Sequence, residues 1–157
     1  MGIEIEKKFL INRDVWDRTV KPQGQYYRQG YISTDPLRTI RVRLVDTHGY
    51  LTIKGLTVGA TRNEFEYQIP EDDANELLNH FAISDITKIR YKISYEGKVW
   101  EIDEFLGDNE GLILAEIELA SETEHFATPA WIDKEVTGDE RYYNSNLSLN
   151  PYKKWLS

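Results

Sequence analysis

Near the start of the chain, Glu4, Glu6 and Lys8 take alternate positions in Ile3-Glu4-Ile5-Glu6-Lys7-Lys8-Phe9. Successive strand side chains point to opposite faces, so the three charges share one face while Ile3, Ile5 and Phe9 share the other. Neighbouring carboxylates repel one another, and the arrangement makes chemical sense when something positive sits between them. The same alternation recurs along the chain. Arg41 and Arg43 alternate with Ile40, Val42 and Leu44, and Lys54 falls in phase with Thr52. Glu64, Glu66 and Gln68 oppose Phe65, Tyr67 and Ile69, while Lys88, Arg90 and Lys92 oppose Ile89, Tyr91 and Ile93. Glu101 with Asp103, and Glu116 with Glu118, repeat the acidic version.

A period of two with one apolar face is the ordinary mark of an antiparallel sheet with one wet face. A wet face usually mixes Thr, Ser, Gln and Lys. Here each sign is clustered within a strand, which favours a charged interior over a charged exterior. An inward charged face leaves the apolar face outside, where helices must cover it. Two segments qualify. One is Asp14 to Arg18. The other is Glu71 to Phe81, begun by Pro70 and the acidic Glu71-Asp72-Asp73, with Ala74, Leu77, Leu78 and Phe81 as its apolar stripe. Eight strands are expected near residues 2–10, 26–33, 39–46, 49–54, 61–69, 86–95, 98–105 and 112–120.

The ordered set Glu4-x-Glu6-x-Lys8, Arg41-x-Arg43, Lys54, Glu64-x-Glu66, Lys88-x-Arg90, Glu101-x-Asp103 and Glu116-x-Glu118 resembles the CYTH, or triphosphate tunnel metalloenzyme, family. Gln29-Gly30-Tyr31 and the stretch from Glu135-Val136-Thr137-Gly138-Asp139 to Tyr142 resemble its small bacterial branch, whose members hydrolyse inorganic triphosphate. The resemblance runs across nearly the whole chain and implies one domain over residues 1–157. The implied fold is mainly β (α+β), a closed eight-stranded antiparallel barrel with a charged tunnel and helices packed outside. The resemblance assigns divalent metal to Glu4, Glu6, Glu116 and Glu118, with Glu64, Glu66, Glu101 and Asp103 as further partners. It assigns phosphate to Lys8, Arg41, Arg43, Lys54, Lys88 and Arg90, puts Lys134 near the tunnel mouth and turns Tyr31 toward the lumen.

A triphosphate carries several negative charges, so a site for it is expected to hold an excess of cations. Arginine suits phosphate because its planar fork donates two parallel hydrogen bonds, while lysine acts as a point charge. Oxygen ligands without cysteine point to Mg²⁺ or Mn²⁺ rather than zinc. Such ions neutralise phosphate charge and acidify an attacking water. Lys8, Lys54 and Lys88 are the candidates for protonating or stabilising the leaving phosphate. The leading expectation is metal-dependent hydrolysis of inorganic triphosphate to pyrophosphate and phosphate. The alternatives on the same site are thiamine or nucleoside triphosphatase and adenylate cyclase. A polyphosphate or nucleotide sensor is the non-enzymatic alternative.

With 157 residues, the chain suffices for one domain with a sizeable core. Nineteen basic residues against 27 acidic ones give a net charge of -8, which disfavours nucleic acid and anionic membranes as partners. The absence of cysteine excludes disulfides, thiol nucleophiles and cysteine-based zinc sites. His48, His80 and His125 lie beside turns or helix ends and are read as surface residues. The four tryptophans and ten tyrosines are read as packing groups. No signal peptide or membrane-spanning run is visible, so a cytoplasmic location is expected, with a small-molecule substrate and room for a homodimer.

Overall fold

The structure, a computed structural model, describes residues 2–155. Among them, β1 (Gly2–Ile11), β2 (Gln25–Ser33), β3 (Thr39–Val45), β4 (His48–Lys54) and β5 (Thr61–Ile69) form the first half of one antiparallel sheet. The second half is β6 (Asp85–Tyr95), β7 (Lys98–Phe105), β8 (Ile113–Glu118) and the short β9 (Ile132–Glu135). Eight strands run β5-β4-β3-β2-β6-β7-β8-β1, and β1 then pairs with β5 through Gly2–Ile5 and Thr61–Glu64. That last pairing closes the sheet into a barrel, which removes its edges. The ninth strand lies against β1 at Phe9 and Ile11 and was not expected from the sequence. Its four residues, Ile-Asp-Lys-Glu, carry no apolar alternation.

On β1 and on β3 to β8 the charged phase picked out by the sequence faces the lumen, whereas β2 turns Tyr27, Gln29 and Tyr31 inward and its Arg28 outward to Asp85. Two apolar clusters cover parts of the outside. In the first, α1 (Arg13–Arg18), capped by the Asn12 side chain on the Val15 amide, buries Trp16 against Trp131 and Tyr91. Phe9, Trp100, Ile102 and Ile117 complete this cluster, so Trp16, Trp100 and Trp131 serve packing. In the second, α2 (Glu71–His80) lays Ala74 and Leu78 on Val42, with Leu51 and Ile69 beside them. Phe81, expected in the same stripe, is exposed because the helix ends at His80 and Phe81 caps it. The outer helices cover less than the sequence reading required, since Ile53, Phe65 and Tyr67 stay exposed on β4 and β5.

A third cluster stops one end of the lumen. There the inward residues turn apolar: Tyr31 on β2, Ile86 on β6, Phe105 on β7 and Leu114 on β8, with Leu10 on β1 against them. The chain after β9 folds over this end through Val136, a 3₁₀ turn at Glu140–Tyr142, α3 (Asn144–Leu149) and Trp155. Trp155 meets the edges of Tyr142 and Tyr152 at 5.2 Å each. Gly30 lies on the outer side of β2, where a Cβ would stand 2.8 Å from the Ala82 Cβ and 2.9 Å from the Ser84 carbonyl oxygen. The backbone approach there excludes a side chain. Among the described residues no helix is long and apolar enough to cross a membrane.

Candidate active site

The open part of the lumen is a cavity of about 190 Å³. Strand order sorts its charges into two cationic arcs. The first is on β3 and β4, where Arg41, Arg43 and Lys54 face the neighbouring carboxylates of β5 and β1. Glu66 accepts from Arg43 Nη2 at 3.2 Å and from the Thr52 hydroxyl at 2.9 Å, and lies 3.6 Å from Arg41 Nη2. Lys54 Nζ bridges Glu4 at 3.0 Å and Glu64 at 3.2 Å. The second arc is on β6. Asp103 takes Arg90 Nε at 2.7 Å, Arg90 Nη2 at 2.9 Å and Lys88 Nζ at 2.8 Å, all three bonds buried. Arg90 also reaches Glu101 at 3.3 Å, and Lys8 reaches Glu116 at 3.7 Å.

These partners set the protonation states. Burial would raise Glu4, yet Lys54, a hydrogen bond with Glu64 and Arg62 hold it down at about 2. Glu116 is likewise held well below the carboxylate range against its burial, mainly by Lys8 and Arg90. Burial pulls Lys88 down to about 7 against the attraction of Asp103, because the same Asp103 already serves Arg90 and the Arg90 charge is adjacent. Burial, with Arg41 and Arg90 close by, lowers Arg43 to about 10. Burial raises the Tyr31 hydroxyl in spite of Arg41 and Lys8.

Two carboxylates stand apart. Glu6 and Glu118 are directly opposite each other in the β1–β8 pair. Cross-strand neighbours of this kind have Cβ atoms about 4.5–5.5 Å apart. Among the described residues neither makes a side-chain hydrogen bond or an ion pair. Burial, Glu116 and Glu4 push Glu6 up to about 8; burial, Glu4 and Glu101 also raise Glu118. Opposed like charges with no partner form a ready donor pair for a cation. Mg²⁺ typically takes one or two carboxylates and completes its shell with phosphate oxygens and water. Among the described residues no three acidic, imidazole or thiol groups cluster closely enough to hold a metal by themselves. These oxygen donors fit a hard divalent metal ion.

Most residues singled out in the sequence meet in this cavity: Glu4, Glu6, Lys8, Tyr31, Arg41, Arg43, Lys54, Glu64, Glu66, Arg90, Glu101, Glu116 and Glu118 all line it. Lys88 and Asp103 do not. They sit behind the wall, with Lys88 fully buried and its Nζ also 3.5 Å from the Asn144 side chain. Lys134 was expected near the mouth. It is exposed on β9, which runs beside Phe9–Ile11 on the stopped side of the barrel, away from the cavity lining. The expected cationic excess is absent too, because six lysines and arginines in the lining face seven glutamates. His48, His80 and His125 are exposed.

The sequence reading missed Arg62, which lines the cavity and lies 3.3 Å from Glu4. Its signal was present, since Arg62 shares the phase of Glu64 and Glu66. Tyr143, Asn144 and Ser145 also reach the lining. No periodic signal marks them, because the return of the C-terminal segment over the barrel brings them there.

Comparison with known proteins agrees with this architecture. The CYTH domain family matches residues 2–148. An inorganic triphosphatase of Acetivibrio thermocellus is 52% identical over 156 residues, covering 99% of each chain. An inorganic triphosphatase of Nitrosomonas europaea is 34% identical, covering 94% of this chain and 97% of its own. The crystal structure of the inorganic triphosphatase NE1496 superimposes with a TM-score of 0.63 at 31% identity, over 92% of this chain and 97% of that one. The chain belongs to the CYTH domain family.

Proposed function

We propose that the protein is a metal-dependent inorganic triphosphatase, releasing pyrophosphate and phosphate inside the barrel. The observation that carries this reading is a small, one-ended cavity whose arginines and lysines face inward. Its volume of about 190 Å³ is below the ~300–1,000 Å³ usual for pockets that enclose organic ligands. A chain of phosphates suits such a space, whereas a nucleoside or thiamine would have to remain outside the mouth. Two relatives of nearly equal length, both inorganic triphosphatases, support the same substrate.

In this reading Arg41, Arg43, Lys54 and Arg62 grip phosphate oxygens from β3, β4 and β5, and Lys8 and Arg90 from β1 and β6. Each grip displaces a carboxylate: Arg43 leaves Glu66, Lys54 leaves Glu4 and Glu64, and Lys8 leaves Glu116. Because the lining carries no cationic surplus, a bare polyanion gains little on entry, and positive charge must accompany it. Glu6 and Glu118 would hold that divalent ion, with Glu4 and Glu116 available once their lysines turn to phosphate. When bound, the ion neutralises phosphate charge and acidifies a coordinated water. The protein's own part is in-line positioning and exclusion of bulk water, which dominate phosphoryl transfer. Lys8 and Lys54 reach the lumen and can donate to the leaving oxygen. Lys88, sealed behind the wall, acts by fixing Asp103 and Asn144.

The deciding assay is phosphate release from inorganic triphosphate, ATP and thiamine triphosphate, with and without Mg²⁺ or Mn²⁺. Turnover of inorganic triphosphate fastest, and only with metal, is the expected result. A preference for ATP with cyclic AMP as product would replace the reading by a cyclase. Tight triphosphate binding without turnover would replace it by a sensor.

A further inference from the structure

Gln29 presents a problem that substrate binding by arginine does not by itself explain. It alternates with Tyr27 and Tyr31 on the inward phase of β2, is fully buried, and among the described residues leaves both amide atoms without a hydrogen-bond partner. Directly opposite it in the β2–β3 pair stands Arg43, whose Nε is also buried and unpartnered. The Arg43 guanidinium is meanwhile drawn to Glu66 through Nη2 and lies over the rings of Tyr27 and Tyr50, with its carbon 5.2 and 5.5 Å from their centroids. Buried amides are nearly always paired, and an apolar side chain of similar size would fill this space without stranding polar atoms.

We infer that Gln29 is a positioning residue for Arg43: its amide oxygen accepts the Arg43 Nε–H once the guanidinium turns from Glu66 to phosphate. Residues directly opposite across a ladder are close enough for this, with Cβ atoms about 4.5–5.5 Å apart. Gln29 offers an acceptor on the side where Arg43 lacks one, and as a neutral group it leaves the positive charge available to the substrate. A carboxylate there would compete with phosphate as Glu66 does. The two orphaned partners are thus held in reserve for the loaded state. A fixed Nε leaves both Nη groups to form the parallel pair of bonds to phosphate that makes arginine selective. This inference rests on the reading of Arg43 as a phosphate-binding group.

Gln29→Met removes both polar atoms at similar volume, and Gln29→Leu is a second apolar replacement. With inorganic triphosphate and saturating Mg²⁺, either should raise KM about 3- to 10-fold, the worth of one hydrogen bond, with kcat unchanged. Thermal stability should be equal or higher, because orphaned atoms are removed. Arg43→Lys keeps the charge but lacks the Nε–H, so in that background Gln29→Met should raise KM no further. An unchanged KM in both Gln29 variants, or an undiminished rise in the Arg43→Lys background, would overturn the inference. Failure of the underlying reading looks different: Arg43→Ala would then leave KM and kcat as in the native enzyme.

Discussion

Replacing Glu6 by Gln should make the metal-free protein more stable, and increasingly so as the pH rises. Glu6 faces Glu118 across the β1–β8 pair with no cation bonded to it, and burial, Glu116 and Glu4 lift its pKa from 4.5 to about 8. Between those values the folded protein keeps a proton that the unfolded chain has released. Stability therefore falls as pH rises through that window and stays low above it. A tenfold difference in proton affinity between the folded and unfolded states is worth about 1.4 kcal/mol. The ceiling on the full penalty above pH 8 is thus on the order of 4–5 kcal/mol, and contact of the carboxylate with water in the cavity brings it lower. Gln keeps the shape and abolishes the charge. Metal-free native protein and Glu6→Gln should unfold at similar temperatures near pH 4.5 and separate above pH 8. At roughly 2–4 °C per kcal/mol for a domain of this size, the gap should be about 5–15 °C. Calorimetric or circular-dichroism melts in chelator across this pH range would measure it. Excess Mg²⁺ should stabilise the native protein by mass action and the variant much less. Melting curves that stay parallel across the pH range would refute the claim that Glu6 is an uncompensated charge.

Arg41→Ala should lower kcat/KM for triphosphate about 10- to 150-fold, equivalent to about 1.5–3 kcal/mol for a charge-assisted bond; kinetics with Mg²⁺ present would check it. Asp103→Asn should cost about 3–5 kcal/mol of stability, because it leaves Lys88 and Arg90 buried without their shared carboxylate. Adding Lys88→Met to that variant should recover part of the loss, which denaturant unfolding of the single and double variants would show.

The fold was legible where alternation was strong. In stretches such as Ile40–Leu44 of β3 and Glu64–Ile69 of β5, charged or polar and apolar residues alternate so consistently that parity alone located them. The same parity put Glu4, Arg41, Lys54 and Glu116 in one lumen, and would have added Arg62. It could not report which charges neutralise one another, because that depends on strand order. Glu66 meets Arg41 and Arg43 across β4 only because β3, β4 and β5 are sequential neighbours. Parity also treats Lys88 and Arg90 alike, though Phe105 is opposite Lys88 and Asp103 opposite Arg90. The first lysine ends beside the apolar stopper, whereas the arginine reaches the cavity.

The stopper itself is the largest feature that no local pattern announced. Leu10, Ile86, Phe105 and Leu114 each continue the inward phase of a charged strand, so the change from charge to apolar side chain on one face marks where the lumen ends. Read strand by strand, these residues look like ordinary ends of a buried face. They acquire meaning only when Tyr142, Leu147 and Trp155 return from the far end of the chain to cover them. The consequence is functional. In the proposed reading, a lumen stopped at one end, with its carboxylates balancing its cations, exchanges internal ion pairs for substrate and metal together. A barrel that does this chemistry therefore needs its acidic residues as much as its basic ones, which is why both signs recur with the same period along this chain.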